Sequence, residues 1–161
     1  MGKARHLDRI DRAILRELQR EGRLSNVALA RRVGLSPTPC LERVRRLERD
    51  GFITGYVALA DPALLNANTV AFIQVLLTNT STENLRAFNR EMRALPEVET
   101  CHMVAGGFDY LIKIRCADMQ HYQRFLGEKL AAIPLVAQTH TYVVIEEVKS
   151  ETAIALDNLP G

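Results

Sequence analysis

The chain has 161 residues, a formal net charge of +2, a hydrophobic share of 47% and a charged share of 25%. That balance excludes wholesale disorder and fibrous structure, and the length allows one medium domain or two small ones. No apolar run approaches the roughly 18 residues that a bilayer-spanning helix needs, and residues 1–6 lead into a charged helical pattern without an apolar leader core.

Cys40, Cys101 and Cys116 lie far apart with no CxxC pair. They argue against a disulfide framework or a zinc site and fit a reducing cytoplasm. The small net charge hides a division. Residues 1–55 carry 13 Lys+Arg against 7 Asp+Glu, a balance of +6, whereas residues 56–161 carry 8 against 12, a balance of −4. Apart from Lys3, the cations of the first stretch are all arginine. The asymmetry predicts a polyanion-binding head joined to a body with another task.

In chain order, residues 7–21 read as a helix. Asp8 can cap it, Asp11 lies in its first turn, and Ile10, Ile14, Leu15 and Leu18 form one apolar stripe before Gly22. Ser25 caps a second, short helix with Val27, Leu29, Ala30 and Val33 inward, and Gly34 stops it where a positive φ costs glycine little. Leu35 follows as an apolar plug. Ser36-Pro37 opens a third helix with Leu41, Val44 and Leu47 inward and Arg43, Arg45, Arg46 and Arg49 on its other faces. Asp50-Gly51 is a turn, and residues 52–59 read as a short β-ribbon. Two helices around a glycine turn, the second rich in arginine and followed by a ribbon, describe a winged helix-turn-helix over residues 1–60.

A helix of this kind fits the major groove of B-DNA and presents its first turns to base edges. Those turns are Ser36-Pro37-Thr38-Pro39-Cys40. Thr38 offers a hydroxyl and a methyl, the prolines give a stiff entry, and the helix start can donate N–H groups to a phosphate. Arg43 suits either a base or a phosphate; Arg45, Arg46 and Arg49 suit phosphates or solvent. The candidate DNA-contacting set is Ser25, Ser36, Pro37, Thr38, Pro39, Arg43, Arg45 and Arg46, and counterion release predicts affinity that falls steeply with salt. Cys40 reads as small buried filler, with redox sensing as the alternative.

Residues 61–68, with Pro62 and two asparagines, read as a hinge, and residues 69–161 as a second domain. Residues 69–77 are a β-rich run. Ser81 opens a helix with Leu85, Phe88, Met92 and Leu95 on one stripe, ending at Pro96. Residues 98–104 and 110–115 are strands around a Gly106-Gly107 turn. Asp118 caps a helix with Met119, Tyr122, Phe125, Leu126 and Leu130 inward, Pro134 ends it, and residues 136–148 are a fourth strand. The order β-α-β-β-α-β predicts a ferredoxin-like sandwich with both helices on one face of an antiparallel sheet, and an α+β fold overall. The first strand is apolar on both faces: Val70, Phe72 and Leu76 point one way, Ala71, Ile73, Val75 and Leu77 the other. Leaving the uncovered face in water is costly at roughly 25 cal/mol per Å², which predicts a homodimer closed sheet to sheet. A dimer also suits paired recognition helices on two half-sites.

The stretch Ala105-Gly106-Gly107-Phe108-Asp109-Tyr110 reads in two ways. Paired glycines let a backbone approach a ligand and aim N–H groups at a carboxylate, with Asp109 accepting from an ammonium group and Thr139 and Thr141 adding hydroxyls. That combination suits a free amino acid. Alternatively, it is a glycine-rich turn whose Asp109 bonds its own loop. The histidines (His6, His102, His121, His140) are scattered, with no metal spacing, nucleophile motif or phosphate loop, so no enzymatic activity and no cofactor are expected. An architectural DNA-wrapping protein without effector is the competing expectation.

From Leu7-Asp8-Arg9-Ile10-Asp11 to Glu146-Glu147-Val148-Lys149 the chain resembles the family of leucine-responsive regulatory proteins and asparagine-synthetase regulators, the feast/famine transcription factors. Residues 33–48 and Phe108-Asp109-Tyr110-Leu111 carry the likeness most specifically. The resemblance implies a sequence-specific activator or repressor of amino-acid metabolism in the cytoplasm, on the nucleoid. It implies double-stranded DNA as partner, an amino-acid effector such as leucine, and dimers that assemble into octamers or similar rings. It places the effector between dimers, near Gly106, Phe108, Asp109, Tyr110, Leu111, Thr139 and Thr141, with response-altering positions at Asp109, Met119, Tyr142, Val143 and Val144. Gly107 stands where an acidic residue is common in the family, and His140 where arginine is.

Overall fold

The computed structural model describes residues 6–156, and the expectation for the opening residues lies outside them. The chain divides into two compact units, one formed by residues up to Leu59 together with those from Lys149, the other by Ala60–Val148.

The first unit contains α1 (Arg9–Arg20), α2 (Asn26–Val33) and α3 (Pro37–Arg49). Asp8 and Asp11 start α1 by a reciprocal capping box, each side chain accepting the other's backbone N–H. The Ser25 hydroxyl accepts the Ala28 N–H at 3.2 Å and starts α2. Gly34, at φ 71°, ends α2 in the left-handed region, and the Leu35 N–H bonds back to the Ala30 carbonyl at 2.9 Å. Ile14, Leu29, Ala30, Cys40 and Leu47 are buried beneath the three helices.

Two expected inward residues point to solvent instead: Val27 is 50% and Leu41 36% exposed. On α3 the buried pair is Cys40 and Leu47, seven residues apart, and that phase turns Leu41 about 100° away from the core. The expected ribbon over residues 52–59 is also absent. The Phe52 and Ile53 N–H groups both donate to the Leu47 carbonyl, at 2.9 and 3.1 Å, and their side chains pack on the head. Tyr56, Val57 and Leu59 beyond them are exposed. A ribbon needs a second strand, and no described residue pairs with this one.

The second unit contains β1 (Thr69–Leu77), α4 (Thr82–Ala94), β2 (Val98–Met103), β3 (Tyr110–Cys116), α5 (Met119–Arg124) continued by a π-helical turn (Phe125–Leu130), and β4 (Val136–Val143). The strands lie in the order β2-β3-β1-β4 and every pairing is antiparallel, which is the ferredoxin-like arrangement. Phe88 and Met92 of α4 and Tyr122, Phe125 and Leu130 around α5 share one core with Ala71, Ile73, Val75 and Leu77, so both helices cover the same sheet face. Met119 is exposed rather than inward. β4 ends five residues earlier than the apolar run suggests. The Val144 N–H makes a last bond to the Val70 carbonyl at 2.9 Å, and β1 begins at Thr69, leaving the chain beyond Val144 without a partner strand.

Candidate functional site

In the head, α3 presents Ser36, Pro37, Thr38, Leu41, Glu42 and Arg45 to solvent. Thr38, Leu41 and Arg45 recur at helical spacing and share one face. Pro37 and Pro39 have no N–H, and the Cys40 N–H already donates to the Ser36 carbonyl at 3.3 Å. Of the expected backbone donors for phosphate, the first turn therefore keeps that of Thr38. The Ser36 side chain makes no capping bond. Ser25 spends its hydroxyl on the α2 cap, and the neighbouring Asn26 Nδ2 donates to the Pro37 carbonyl at 2.7 Å, tying the start of α2 to the start of α3.

The arginines divide in two. Arg43 bonds Asp8 at 2.6 Å and Asp11 at 2.8 Å, and Arg46 bonds the other oxygen of Asp11, whose side chain is almost wholly buried. Burial pushes the Asp8 carboxyl upward, but the Asp11 N–H and Arg43 outweigh it and hold its pKa below 3.8. Arg43 and Arg46 thus fasten α3 to the start of α1. Arg45 is exposed with no acidic partner among the described residues, as is Arg31 at the end of α2, which the sequence reading passed over. Burial pushes the Cys40 thiol pKa up, which disfavours a reactive thiolate.

In the body, the sheet face away from the helices carries Val70, Phe72, Leu76, Leu111 and Tyr142, with Phe72 opposite Tyr142 and Gln74 opposite His140. On this face Gln74, Leu76, Gly107, Phe108, Gln138 and His140 line a hollow of about 320 Å³. Gln138 Nε2 and His140 Nε2, neighbours on one face of β4, are 2.9 Å apart on its wall. Asp109 is half-buried beside the hollow: its Oδ2 accepts the Leu77 N–H at 2.7 Å, and its own N–H donates to the Val75 carbonyl at 3.0 Å. Gly106 and Gly107 have ordinary φ values, and a Cβ on either would meet nothing within 4 Å. Nothing inside this chain requires glycine there.

A model of the Lrp/AsnC ligand-binding domain matches residues 70–154, and a winged helix-turn-helix DNA-binding model matches residues 7–54. The leucine-responsive regulatory proteins of Escherichia coli K12 and Salmonella typhimurium are each 53% identical over 150 residues, covering 93% of this chain and 92% of theirs. The chain belongs to the Lrp/AsnC family of transcription regulators. A transcriptional regulator of Neisseria meningitidis, solved as its L-Met complex, superposes with a TM-score of 0.91 at 36% identity, covering 94% of this chain and 98% of that one. An AsnC-family regulator of Agrobacterium tumefaciens gives 0.90 at 34% with the same coverage. The two family models fall on the two units, making this Lrp/AsnC chain a DNA-binding regulator with a ligand-binding body and not an enzyme.

Within this Lrp/AsnC chain the effector candidates do not converge on one pocket. Phe108 lines the hollow and Gly106 adjoins it, while Leu111 and Tyr142 share its sheet face. Thr139, Thr141 and Val143 lie on the helix face, opposite Val75, Ile73 and Ala71, and the Thr141 Oγ1 accepts from the Tyr122 hydroxyl at 2.7 Å. Tyr110 is buried with its ring 4.5 Å from that of Phe88. Met119 opens α5, and Val144 sits at the sheet margin. Strand neighbours alternate faces, so a run such as Thr141-Tyr142-Val143 cannot line a single surface. Gln74, Leu76 and Gln138, which line the hollow and are not marked by the sequence, follow that same alternation on β1 and β4.

Proposed function

We propose that this protein binds promoter DNA through the exposed face of α3 and that an amino acid of leucine's kind, held at the open sheet face, changes its assembly and its affinity for DNA. Thr38 and Leu41 supply methyl groups for thymine, Arg45 and Arg31 supply charge for bases and phosphates, and Ser36 and the Thr38 N–H add polar contacts. Arg43 and Arg46 act beneath, holding α3 at its angle.

The observation that carries this reading is the solvent-facing Thr38–Leu41–Arg45 row on a helix whose Arg43 and Arg46 are already taken by Asp8 and Asp11 and whose Arg49 lies against Asp50. In the body, the glycine turn and the Gln138–His140 pair suit a carboxylate, Asp109 an ammonium group, and Leu76 and Phe108 an apolar side chain. The open face closes against a second copy, and such dimers assemble further into an octamer or a similar ring in the cytoplasm, on the nucleoid. The leucine-responsive names of relatives at 53% identity favour leucine as effector.

A thermal-shift screen of the twenty amino acids, with and without duplex selected by the protein from a random library, tests the reading. Stabilisation by leucine or a similar apolar amino acid, together with altered duplex affinity, supports it. No shift with any amino acid leaves an architectural DNA-wrapping protein.

A further inference from the structure

After β4 the chain is fastened at two places. Near its start, the Glu147 carboxylate lies 3.2 Å from Lys113 Nζ and 3.7 Å from Arg115, both on β3. Further on, the Ile154 N–H donates to Gln19 Oε1 at 2.6 Å, and Gln19 Nε2 donates to the Ile154 carbonyl at 3.2 Å. One side-chain amide on α1 thereby takes both backbone groups of a single residue, as a neighbouring strand would. Two residues later Leu156 is 8% exposed in the cluster with Ile14, Leu29, Cys40 and Leu47, and its carbonyl accepts from Arg12 Nη1 at 3.3 Å.

Between these anchors the side chains are exposed, Ile154 included. Ordering each residue of an exposed segment costs about 1–2 kcal/mol of backbone entropy, so a path held this way needs specific contacts at its ends. At the Glu147 end these are ion pairs to Lys113 and Arg115; at the other end they include a buried leucine and the hydrogen bonds to Gln19 and Arg12.

We propose that residues 147–156 are a strap and that α1, through Arg12, Gln19 and the apolar recess taking Leu156, is its docking site. The strap gives the head a second covalent tie to the sensor domain, running from the end of β4, in addition to the one at residues 59–60. The chain between Glu147 and Ile154 reaches at most about 25 Å when extended. A docked strap therefore limits how far the head swings, and a head restrained before binding loses less freedom on DNA. The strap raises duplex affinity by preorganisation and places the strand bearing Gln138 and His140 in mechanical continuity with α1.

The test compares the full-length protein with Gln19→Ala and Leu156→Ala. Amide exchange at Ile154 reads the docking, and binding of a duplex that the wild type selects from a random-sequence library reads the consequence. The Ile154 amide should exchange at least about tenfold more slowly than those of Glu151 and Thr152 in the wild type, and this protection should vanish in both variants. Both variants should bind the duplex about fivefold or more weakly. Leu156→Ala opens a cavity in the head, whereas Gln19 lies outside the buried core, so the second variant separates loss of the strap from loss of the fold. Unprotected Ile154 in the wild type overturns the docking, and undocked variants that bind as tightly as the wild type, or tighter, overturn the preorganisation.

Discussion

Asp11 on α1 and Arg43 on α3 meet at 2.8 Å, with the aspartate 1% exposed and Arg46 on its second oxygen. One buried carboxylate therefore holds two arginines of α3. Removing it leaves Arg43 with Asp8 alone and takes from Arg46 its bond to Asp11, and both cations keep partial access to water, so the cost falls below that of breaking a fully buried pair. Asp11→Ala should lower unfolding stability of the head by about 1–3 kcal/mol in a denaturant titration. Arg43→Ala should lower it too, with weaker DNA binding as a consequence of a loosened α3. An unchanged midpoint in both variants would show that the triad contributes nothing to the head.

Arg45 gives the opposite pattern. It is exposed and unpaired among the described residues, so Arg45→Ala should leave the melting temperature where it is. If it neutralises one phosphate, the slope of log affinity against log salt should fall by about 0.9 for each head bound. Titrations of wild type and variant between low and physiological salt measure it. An unchanged slope would assign Arg45 to solvent and leave Arg31 as the stronger candidate.

The contrast between Arg43 and Arg45 also marks how far the sequence carries. The three head helices, the Asp8 and Ser25 caps and the Gly34 turn are legible because each rests on residues within a few positions of it, whereas Ser36 stands at the start of α3 without a side-chain cap bond. β1 was legible to the residue, since its apolar run stops at Thr69 and Leu77. What escaped depends on distant partners. Arg43 and Arg46 are identified as helix fasteners only once Asp8 and Asp11, more than thirty residues earlier, are brought against them. Residues 52–59 and 145–148 look strand-like but have no strand beside them among the described residues. The effector positions that the resemblance implies include consecutive strand residues, whereas a sheet sorts such residues by parity. Gln19's grip on Ile154 spans 135 residues and leaves no local mark.

The open sheet face bears on assembly. Phe72 and Tyr142 stand opposite each other there, with Tyr142 exposed. If this face closes on a second copy, Phe72→Lys places two like charges in a desolvated interface and should shift the protein toward monomer. Light scattering at micromolar concentration reads the change. Wild-type mass in the variant would move the self-association surface off this face.

Acid should loosen the same face. Burial pushes the Glu99 carboxyl upward, but hydrogen bonds from Arg115 and Lys113 outweigh it and hold its pKa below 4.5. A depressed folded pKa means a stabilising contribution present above the unfolded value and lost as pH falls through the folded one. Stability of the body should therefore be flat near neutrality and decline below about pH 4.5, with a shallower decline in Glu99→Gln. Equal slopes in wild type and variant would remove Glu99 as a source.

Asp109 separates the two readings of its loop. Its Oδ2 already accepts the Leu77 N–H at 2.7 Å, which serves the fold, while the proposed ammonium contact needs its charge. Asparagine keeps an acceptor for Leu77 and loses the charge; alanine loses both. Asp109→Asn should thus melt like the wild type but lose the thermal shift produced by leucine, or by whichever apolar amino acid stabilises the wild type. Asp109→Ala should lose the shift and about 1 kcal/mol of stability besides. A full ligand shift in Asp109→Asn would mean that Asp109 is a loop fastener only, and would direct the search for the ammonium partner to Gln74 and Gln138 in the neighbouring hollow.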